Sequence, residues 1–276
     1  MHRFLFLLLL IHSSFALADG PPFHVVFDLD WTLLYKIIDP KQLATSQSTV
    51  LHFNNETYVL NDYAKNVIDT LRNNPDIKVS FFSAGSEERT RLLLQQIILK
   101  DGKTAYNIGF KVLDERFLTP VKYPKKNATS VADLFHKDLK KITDDLNSVI
   151  LIDDDSRFIL HGQRKNFVVI DPTYDYVADY RSRQIPTLKY PPPDRASWLK
   201  EQRKLLRILG MVSDATESLK QKPGQTFVSA ISALQRDSHY MQVHPFAYSQ
   251  NHFYTVGAQL VKSFRSIPCM KSFSQD

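Results

Sequence analysis

The sequence predicts an α/β fold in which helices cover a central parallel β-sheet. Apolar segments with high β-propensity alternate with amphipathic helical segments, as in chains built from βαβ units. Two of the apolar segments, 23–27 and 148–152, are hydrophobic at nearly every position, which is typical of parallel strands buried on both faces. Aspartates follow both segments, and open parallel sheets place their functional sites at the carboxyl ends of strands.

The composition is that of a folded protein with an uneven charge distribution. The chain has 276 residues, of which 43% are hydrophobic, so it can bury a substantial core and is not expected to be disordered. The net charge is +6, and residues 189–276 hold 12 basic and 6 acidic side chains. Three prolines at 191–193 precede most of this basic part. We therefore predict a main domain over residues 19–190 and a basic helical extension over residues 191–276.

The first residues have the pattern of a secretory signal peptide. A basic start precedes an apolar run over 4–11 that is too short to span a bilayer comfortably, and residues 16–18 supply a small-x-small cleavage site. We predict a signal peptide over residues 1–18, a mature start near Asp19, and export to the periplasm or to the outside of the cell. An uncleaved membrane anchor is the alternative. Cys269 is the only cysteine, so the exported chain is expected to fold without an internal disulfide.

The first predicted strand ends at two carboxylates, Asp28 and Asp30, one residue apart. Carboxylates crowded at a cleft repel each other unless a cation or a shared proton relieves the repulsion, so the spacing indicates a divalent metal. With Thr32 they form an Asp-x-Asp-x-Thr pattern. Such a pair can supply a nucleophile that attacks phosphorus to form an aspartyl-phosphate. It can also supply an acid/base that protonates the leaving oxygen and later activates water.

A β-hairpin and a helix are predicted next along the chain. Segments 50–53 and 57–60 flank a two-residue asparagine turn, which is typical of a hairpin and would place a flap over the cleft. A helix capped by Asn61 or Asp62 is then predicted to run to Leu71. Its apolar residues share one face, so we expect it to cover the sheet.

Ser83 follows a predicted strand, Ile77–Phe82, and precedes a helix predicted over Glu87–Leu99. A Ser-x-Gly turn between a strand and a helix offers a hydroxyl and free amide hydrogens at a helix N-terminus, which suit a phosphate oxygen. An ordinary helix cap is the alternative interpretation of the same turn. Ser83 is therefore a candidate phosphate ligand.

A short strand, Phe110–Leu113, precedes a segment with helical periodicity. Apolar residues from Val131 to Ile142 recur at helical spacing and predict a helix with a buried stripe. Lys137 lies in this segment with two other lysines. Several lysines on one helix usually form a solvated face, so the local pattern gives Lys137 no special role.

A second acidic cluster follows the next predicted strand, 148–152. This strand runs directly into Asp153, Asp154 and Asp155, and a fifth strand is predicted over 166–170. Carboxylates from two strands that face one cleft require a hard cation, and oxygen ligands of this kind suit Mg²⁺ rather than zinc. The pattern leaves open which of the three aspartates bind the metal directly.

The basic extension is predicted to be helical. Asp194 is expected to cap a helix that ends near Leu209, and further helices are predicted near 214–220, 227–239 and 254–264. The first helix has an apolar face and a basic face. It either packs on the domain with solvated lysines and arginines or lies on an acidic membrane surface. Nucleic acid is not an expected partner.

Taken in order, these residues resemble the four motifs of the haloacid dehalogenase (HAD) superfamily of phosphatases. Within it the chain is most similar to the NLI-interacting-factor-like branch, which includes phosphatases of the RNA polymerase II C-terminal domain. The resemblance covers roughly residues 22–180 and implies a Rossmann-like three-layer α/β fold with a hairpin flap and no large cap. The residues that carry the resemblance are Asp28, Asp30, Thr32, Ser83, Lys137, Asp153 and Asp154.

The resemblance implies a metal and a nucleophile at the two acidic clusters. Asp28 would be the nucleophile and a Mg²⁺ ligand. Asp30 would be the general acid/base, with its backbone carbonyl on the metal. Asp153 would be a further ligand, and Asp154 would support the metal shell. A carboxylate at Asp30 also favours hydrolysis over storage of the acyl phosphate, because it can activate water.

The resemblance also implies a phosphate-binding set. Ser83 and Lys137 would hold the transferred phosphoryl group, and Thr32 would brace the first loop beside it. Lys137 would supply positive charge, because phosphoryl transfer is catalysed largely by cations placed on the equatorial oxygens. Trp31 departs from the family pattern, since a small or polar residue is usual between the second aspartate and the threonine.

The sequence therefore predicts an exported, Mg²⁺-dependent phosphatase that hydrolyses phosphomonoesters through an aspartyl-phosphate. Phosphorylated serine, threonine or tyrosine residues of proteins are the expected substrates, because the absence of a large cap leaves an open cleft. A small-molecule acid phosphatase or nucleotidase is the enzyme alternative. A non-catalytic module that binds phosphate or membrane is the other alternative.

Overall fold

The computed structural model describes residues 22–43, 48–124, 126–170, 173–242 and 248–266. The predicted signal peptide, residues 1–18, and Cys269 lie outside the described residues. The described strands are, in chain order, β1 (Phe23–Phe27), β2 (Leu34–Ile37), β3 (Val50–Phe53), β4 (Glu56–Leu60), β5 (Ile77–Phe82), β6 (Val112–Leu113), β7 (Thr119–Pro120), β8 (Phe135–His136), β9 (Val149–Asp153) and β10 (Phe167–Val169). The described α-helices are α1 (Ala64–Arg72), α2 (Glu87–Gln96), α3 (Ala105–Ile108), α4 (Val131–Leu134), α5 (Arg195–Gln221), α6 (Phe227–Gln242) and α7 (Tyr248–Ser266).

Five parallel strands form the central sheet in the order β10-β9-β1-β5-β6. β1 lies in the middle, and Val25, Val26 and Phe27 have no exposed surface because side chains pack on both faces of the sheet. Phe27 is in register with Phe81 on one side and with Ile152 on the other. β1, β5 and β9 therefore end at one edge, and the predicted parallel α/β fold is confirmed.

A small antiparallel sheet follows the loop that leaves β1, with its strands in the order β2-β4-β3. The predicted hairpin is confirmed as β3 and β4. Asn54 turns between these strands with a φ of 52°, a left-handed conformation that asparagine tolerates. β2 is not anticipated by the sequence pattern, and it pairs Leu34 with Leu60 of β4. In the described part of the chain no separate cap domain interrupts the central sheet.

The first helix begins later than the sequence predicts. α1 starts at Ala64, and the N-cap position is Tyr63, whose side chain makes no capping hydrogen bond. The prediction that Asn61 or Asp62 caps this helix is therefore wrong. Asn61 has a different partner, because its Nδ2 donates to the Tyr35 hydroxyl at 3.2 Å. Its Oδ1 accepts the Tyr63 N–H at 3.3 Å, which lies before the first residue of the helix.

α2 is shorter than the sequence predicts. The helix begins at Glu87 as expected, with the Ser86 side chain accepting from a backbone N–H three residues on. It ends at Gln96 rather than at Leu99, because Ile97 adopts an extended conformation. Ile98 then forms an isolated antiparallel bridge with Thr104. This short turn leads the chain back toward β6.

The helix predicted over 131–142 is wrong. α4 ends at Leu134, and the chain continues as the two-residue strand β8 and a short 3₁₀ turn. The backbone N–H of Lys137 donates to the Phe158 carbonyl at 2.7 Å, which draws this segment into the protein. Val131 and Leu134 of the expected buried stripe are 47% and 38% exposed. Tertiary contacts have overridden the helical periodicity, and Lys137 does not lie on a solvated helix face.

α5 is a single helix of 27 residues. Asp194 caps it as predicted, because its side chain accepts a backbone N–H three residues on at 2.7 Å. The predicted end near Leu209 and the separate helix near 214–220 are wrong, since the helix continues through Gly210. The next two helices are confirmed as α6 and α7, and both are longer than predicted.

α5 and α7 cross in close backbone contact. A Cβ added at Gly210 of α5 would collide with the Phe253 carbonyl of α7. A Cβ added at Gly257 of α7 would collide with the Leu206 carbonyl of α5. Glycine is the residue that permits this approach at both positions. The crossing fixes the last described helix directly on α5.

The apolar face of α5 belongs to the main hydrophobic core. Leu205, Leu206 and Leu209 pack in one cluster with residues of β1, so this face is not free to enter a membrane. Lys204 and Arg207 are only 2% and 6% exposed, so the expected solvated basic face is wrong for these two residues. Among the described residues, no helix combines the length and the hydropathy that crossing a bilayer requires. The domain division near residue 190 stays a prediction.

Candidate active site

Three strands bring candidate residues to one edge of the sheet. Asp28 and Ser83 directly follow β1 and β5, and Asp153 is the last residue of β9. The Asp28 N–H donates to the Ile152 carbonyl at 2.9 Å, and the Ser83 N–H donates to the Leu113 carbonyl at 2.9 Å. These bonds continue the parallel pairing by one residue. The polar side chains therefore begin where the buried strands end.

Lys137 lies between two of the aspartates. Its Nζ donates to Asp28 Oδ1 at 2.5 Å and to Asp153 Oδ2 at 2.7 Å, and the lysine has no exposed surface. Burial lowers the pKa of this amine, but the charges of Asp153 and Asp28 outweigh burial, so the pKa of Lys137 is raised. The lysine is thus a fixed cation at the end of β1. The sequence motif located it, although the helix predicted around it is wrong.

Three carboxylates form a cluster that fits a metal ion. One oxygen each from Asp28, Asp153 and Asp154 lies within 4.8 Å of the other two. Oxygens at about 2.1 Å from Mg²⁺ are roughly 3 to 4 Å apart in an octahedral shell, so small shifts would suffice. Asp155 points elsewhere, because both of its oxygens accept from Arg157. The structure therefore favours Asp154 over Asp155 as the third acidic side chain of the cluster.

Burial raises the affinity of the carboxylate cluster for protons. Burial is the largest cause that raises the pKa of Asp28, and Lys137 opposes it only in part. Burial and the neighbouring charge of Asp153 raise the pKa of Asp154 to about 7, while Lys204 acts in the opposite direction. A cation that binds here competes with protons for these carboxylates.

Magnesium is therefore expected to stabilise the fold more at about pH 8 than at about pH 5. Asp154 has a raised pKa in the folded state, near 7 against an ordinary 3.8, so the metal-free fold loses stability as pH rises through this window. Above about pH 7 a bound cation compensates the charge of ionised Asp154 and so restores the lost stability. At about pH 5 the cation must compete with protons for the same carboxylates. Thermal melts with and without Mg²⁺ at the two pH values measure the effect. An equal rise in Tm at both would contradict it.

Asp30 lies apart from this cluster, at the rim. Its carboxylate forms a bidentate ion pair with the Arg89 guanidinium, which donates to both oxygens. The Asp30 side chain is 42% exposed. Burial lowers the pKa of Arg89, but the charge of Asp30 outweighs burial and the pKa is raised. Arg89 also donates to the Tyr58 hydroxyl at 3.1 Å, which links the site to β4 of the small antiparallel sheet. Sequence reasoning missed Arg89, because it is 59 residues from Asp30.

Ser83 and Thr32 are both fully buried at the sheet edge. Ser83 Oγ accepts the Gly85 N–H at 3.0 Å, and a Cβ at Gly85 would lie 2.6 Å from the Arg89 guanidinium. A side chain at this position would therefore displace the Arg89 guanidinium and lie 3.3 Å from the Ser83 hydroxyl. Thr32 Oγ1 has no hydrogen-bond partner among the described residues. A buried hydroxyl without a partner is available to a ligand oxygen.

This fold is that of the HAD superfamily of phosphatases. Within that superfamily, the chain belongs to the NLI interacting factor-like phosphatase family, whose model matches residues 23–189. The resemblance seen in the sequence motifs is thereby confirmed, and it places the chain in a family of phosphoric monoester hydrolases. The match ends before α5 begins. No curated protein matches the chain.

Two solved structures share distant similarity with the chain. One is an arginine-to-alanine variant of the fission yeast RNA polymerase II CTD phosphatase Fcp1 bound to beryllium fluoride, at 14% identity and a TM-score of 0.40. The alignment covers 88% of this chain and 64% of that one. The other is Fcp1, described as an essential RNA polymerase II CTD phosphatase, at 13% identity and a TM-score of 0.37. That alignment covers 92% of this chain and 76% of the other.

Proposed function

We propose that this protein is a Mg²⁺-dependent phosphatase that hydrolyses phosphomonoesters of proteins through an aspartyl-phosphate on Asp28. The observation that carries the proposal is the buried contact of Lys137 Nζ with Asp28 Oδ1 at 2.5 Å, at the end of the central strand. This contact keeps a cation beside the proposed nucleophile, where phosphoryl oxygens need charge compensation. Membership in the phosphatase family supports the same assignment.

In the first step, a carboxylate oxygen of Asp28 attacks phosphorus, and the bond from phosphorus to the ester oxygen breaks. Asp30 donates a proton to the departing oxygen. In the resting structure both Asp30 oxygens accept from Arg89, so Asp30 must leave this ion pair and take up a proton before it acts as the acid. Ser83 and Thr32 offer hydroxyl groups to the transferred phosphoryl group.

In the second step, Asp30 takes a proton from water, and the water oxygen attacks phosphorus. The bond from phosphorus to Asp28 breaks, which releases phosphate and restores the carboxylate. A Mg²⁺ ion held by Asp28, Asp153, Asp154 and the Asp30 carbonyl would neutralise charge on the phosphoryl oxygens. Lys137 adds a second cation that cannot leave with product.

The proposed substrate class is a phosphorylated side chain of a protein. Support comes from the cleft, because Asp30 is partly exposed and no cap domain covers it within the described residues. A small-molecule phosphatase or nucleotidase remains the competing enzyme. A non-catalytic phosphate-binding module is disfavoured, because every motif residue of the family pattern is present and most are buried together.

A panel of phosphopeptides and small phosphate esters tests the proposal. We expect turnover that depends on Mg²⁺, stops in excess chelator, and is not restored by calcium, whose larger and looser shell misplaces the reacting oxygens. Higher kcat/KM on phosphopeptides than on nucleotides and sugar phosphates is the expected ranking. The reverse ranking would move the assignment to a small-molecule phosphatase. Full activity in chelator would remove the metal from the mechanism.

Export is proposed as well, on the basis of the apolar run over residues 4–11. Cleavage after residue 18 would leave β1 intact, because β1 begins at Phe23. Fractionation of expressing cells and N-terminal sequencing of the recovered protein test this proposal. A start at Met1 in the cytoplasmic fraction would contradict it.

A further inference from the structure

A buried lysine from α5 reaches the loop that carries the candidate nucleophile. Lys204 is 2% exposed, and its Nζ donates to the Trp31 carbonyl at 2.5 Å. Trp31 is the residue after Asp30, so this contact falls between Asp30 and Thr32. Lys204 lies outside the region that the family model matches, which ends at residue 189. The family motifs therefore do not account for it.

The loop after β1 has a backbone shape that requires support. Trp31 has a φ of 59°, a left-handed conformation that a bulky residue rarely adopts. The N–H groups of Leu33 and Leu34 both donate to the Leu29 carbonyl, and the Trp31 N–H donates to the Leu34 carbonyl. These bonds form one compact turn. Its conformation sets where the Asp28 and Asp30 carboxylates point, because both lie within or beside it.

Lys204 is itself held in place by a second buried charge. Its Nζ pairs with Glu201 Oε1 at 2.7 Å, one turn earlier on α5. The same Glu201 oxygen accepts from the Tyr35 hydroxyl at 2.5 Å, and the other accepts the Tyr174 N–H at 3.3 Å. Lys204 Nζ also lies 4.9 Å from the centre of the Tyr35 ring. The ion pair of Lys204 and Glu201 is thus hydrogen-bonded to Tyr35 of β2 and to Tyr174, which follows β10.

Packing alone does not explain these charges. The neighbouring positions Leu205, Leu206 and Leu209 show that this part of α5 accommodates apolar side chains. A buried ion pair contributes little more to stability than apolar residues of similar volume, because desolvation offsets its attraction. What a lysine adds here is a donor to one backbone carbonyl. That carbonyl belongs to the loop between the two motif aspartates.

We propose that Lys204 is a positioning residue that clamps the Trp31 carbonyl and fixes the loop bearing Asp28 and Asp30. The inference rests on the proposed function for its catalytic consequence, and on the geometry alone for its effect on the loop. Lys204 touches neither the reacting atoms nor the carboxylate cluster directly. Its charge lowers the pKa of Asp154 without contact, and its hydrogen bond acts on the loop through the backbone of Trp31.

Two variants and one control test the clamp by kinetics. Lys204→Met keeps the length and removes the donor, and the double variant Glu201→Gln/Lys204→Met also removes the partner charge in case the single variant does not fold. Arg203→Met, at the adjacent exposed position, removes the same charge from the same helix. With a small phosphate ester and Mg²⁺, kcat should fall about 10- to 100-fold in both clamp variants, because misplacement of a nucleophile costs that much. KM should stay within about twofold, and the control should match the wild type.

Hydrogen exchange gives a readout that does not depend on activity. The amides of residues 28–35 should exchange faster in both clamp variants, while those of β5 and the control variant stay as in the wild type. Unchanged exchange of this loop in a folded clamp variant overturns the proposal. Faster exchange with unchanged kcat in an active enzyme overturns it too. If the wild-type protein hydrolyses no ester, the proposed function fails, and loop exchange alone decides whether Lys204 fixes the loop.

Discussion

Asp28→Asn is expected to lower kcat by at least about 10⁴-fold, because an amide cannot form the acyl phosphate. The fold should remain intact. Burial raises the pKa of Asp28, and the change removes a carboxylate that repels Asp153, while Lys137 loses its pair with Asp28 but keeps its pair with Asp153, so the metal-free variant should melt near the temperature of the wild type. Steady-state turnover of a small phosphate ester and thermal melts measure the two effects.

Asp69→Asn is the matched control, since Asp69 is another buried carboxylate but lies on α1. Its oxygens accept from Arg72 and from the Lys100 N–H, so its loss should cost about 1 to 3 kcal/mol of stability while kcat is kept. The two variants should thus show opposite profiles. Wild-type turnover by the Asp28 variant would rule out the covalent mechanism, whatever the control does.

Truncation after Tyr190 is expected to give an insoluble or inactive protein. The deletion removes α5, and with it Leu205, Leu206 and Leu209 from the core that also contains β1. Loss of three buried leucines costs several kcal/mol, at about 2 to 5 for each, which is comparable to the stability of a whole domain. Solubility after expression, circular dichroism and turnover of a small ester measure the outcome.

A soluble truncated protein with full activity would contradict this expectation. If such a protein had also lost the ability of the full chain to bind acidic liposomes, the extension would be a membrane device rather than part of the fold. The double variant Lys200→Gln/Arg203→Gln is the control, because it removes two exposed basic side chains of α5 and leaves the core residues in place. That control should stay soluble and active.

The central sheet could be predicted because its signals are local. Buried parallel strands read as continuous apolar runs, and the aspartates that end them mark the edge where a site forms. Ile77–Phe82 is reproduced without a change of boundary. Lys137 was located by its place in the family motifs, although the periodicity around it predicted a helix that does not exist. A pattern of apolar spacing could not show that contacts with Phe158 would pull this segment inward.

Other parts of the site could not be predicted from the sequence. Arg89 and Lys204 act across 59 and 173 residues, and no local pattern records such contacts. The basic residues of α5 were expected on a solvated face, because amphipathic periodicity does not reveal which polar side chains of a helix are buried together. Glu201, which is 3% exposed, is the carboxylate that pairs with Lys204, and it lies on the same helix.

The bond between Lys204 and Trp31 also sets an order of events during synthesis, since its partners are 173 positions apart. A nascent chain presents β1 and its aspartates long before α5 is made. At about 5 to 20 residues per second, the interval is roughly 9 to 35 seconds. During that time the chain carries its nucleophile on an unclamped loop. On the proposed clamp, full hydrolytic activity arises only when the last third of the polypeptide arrives, so unfinished chains turn over substrate more slowly than the finished protein.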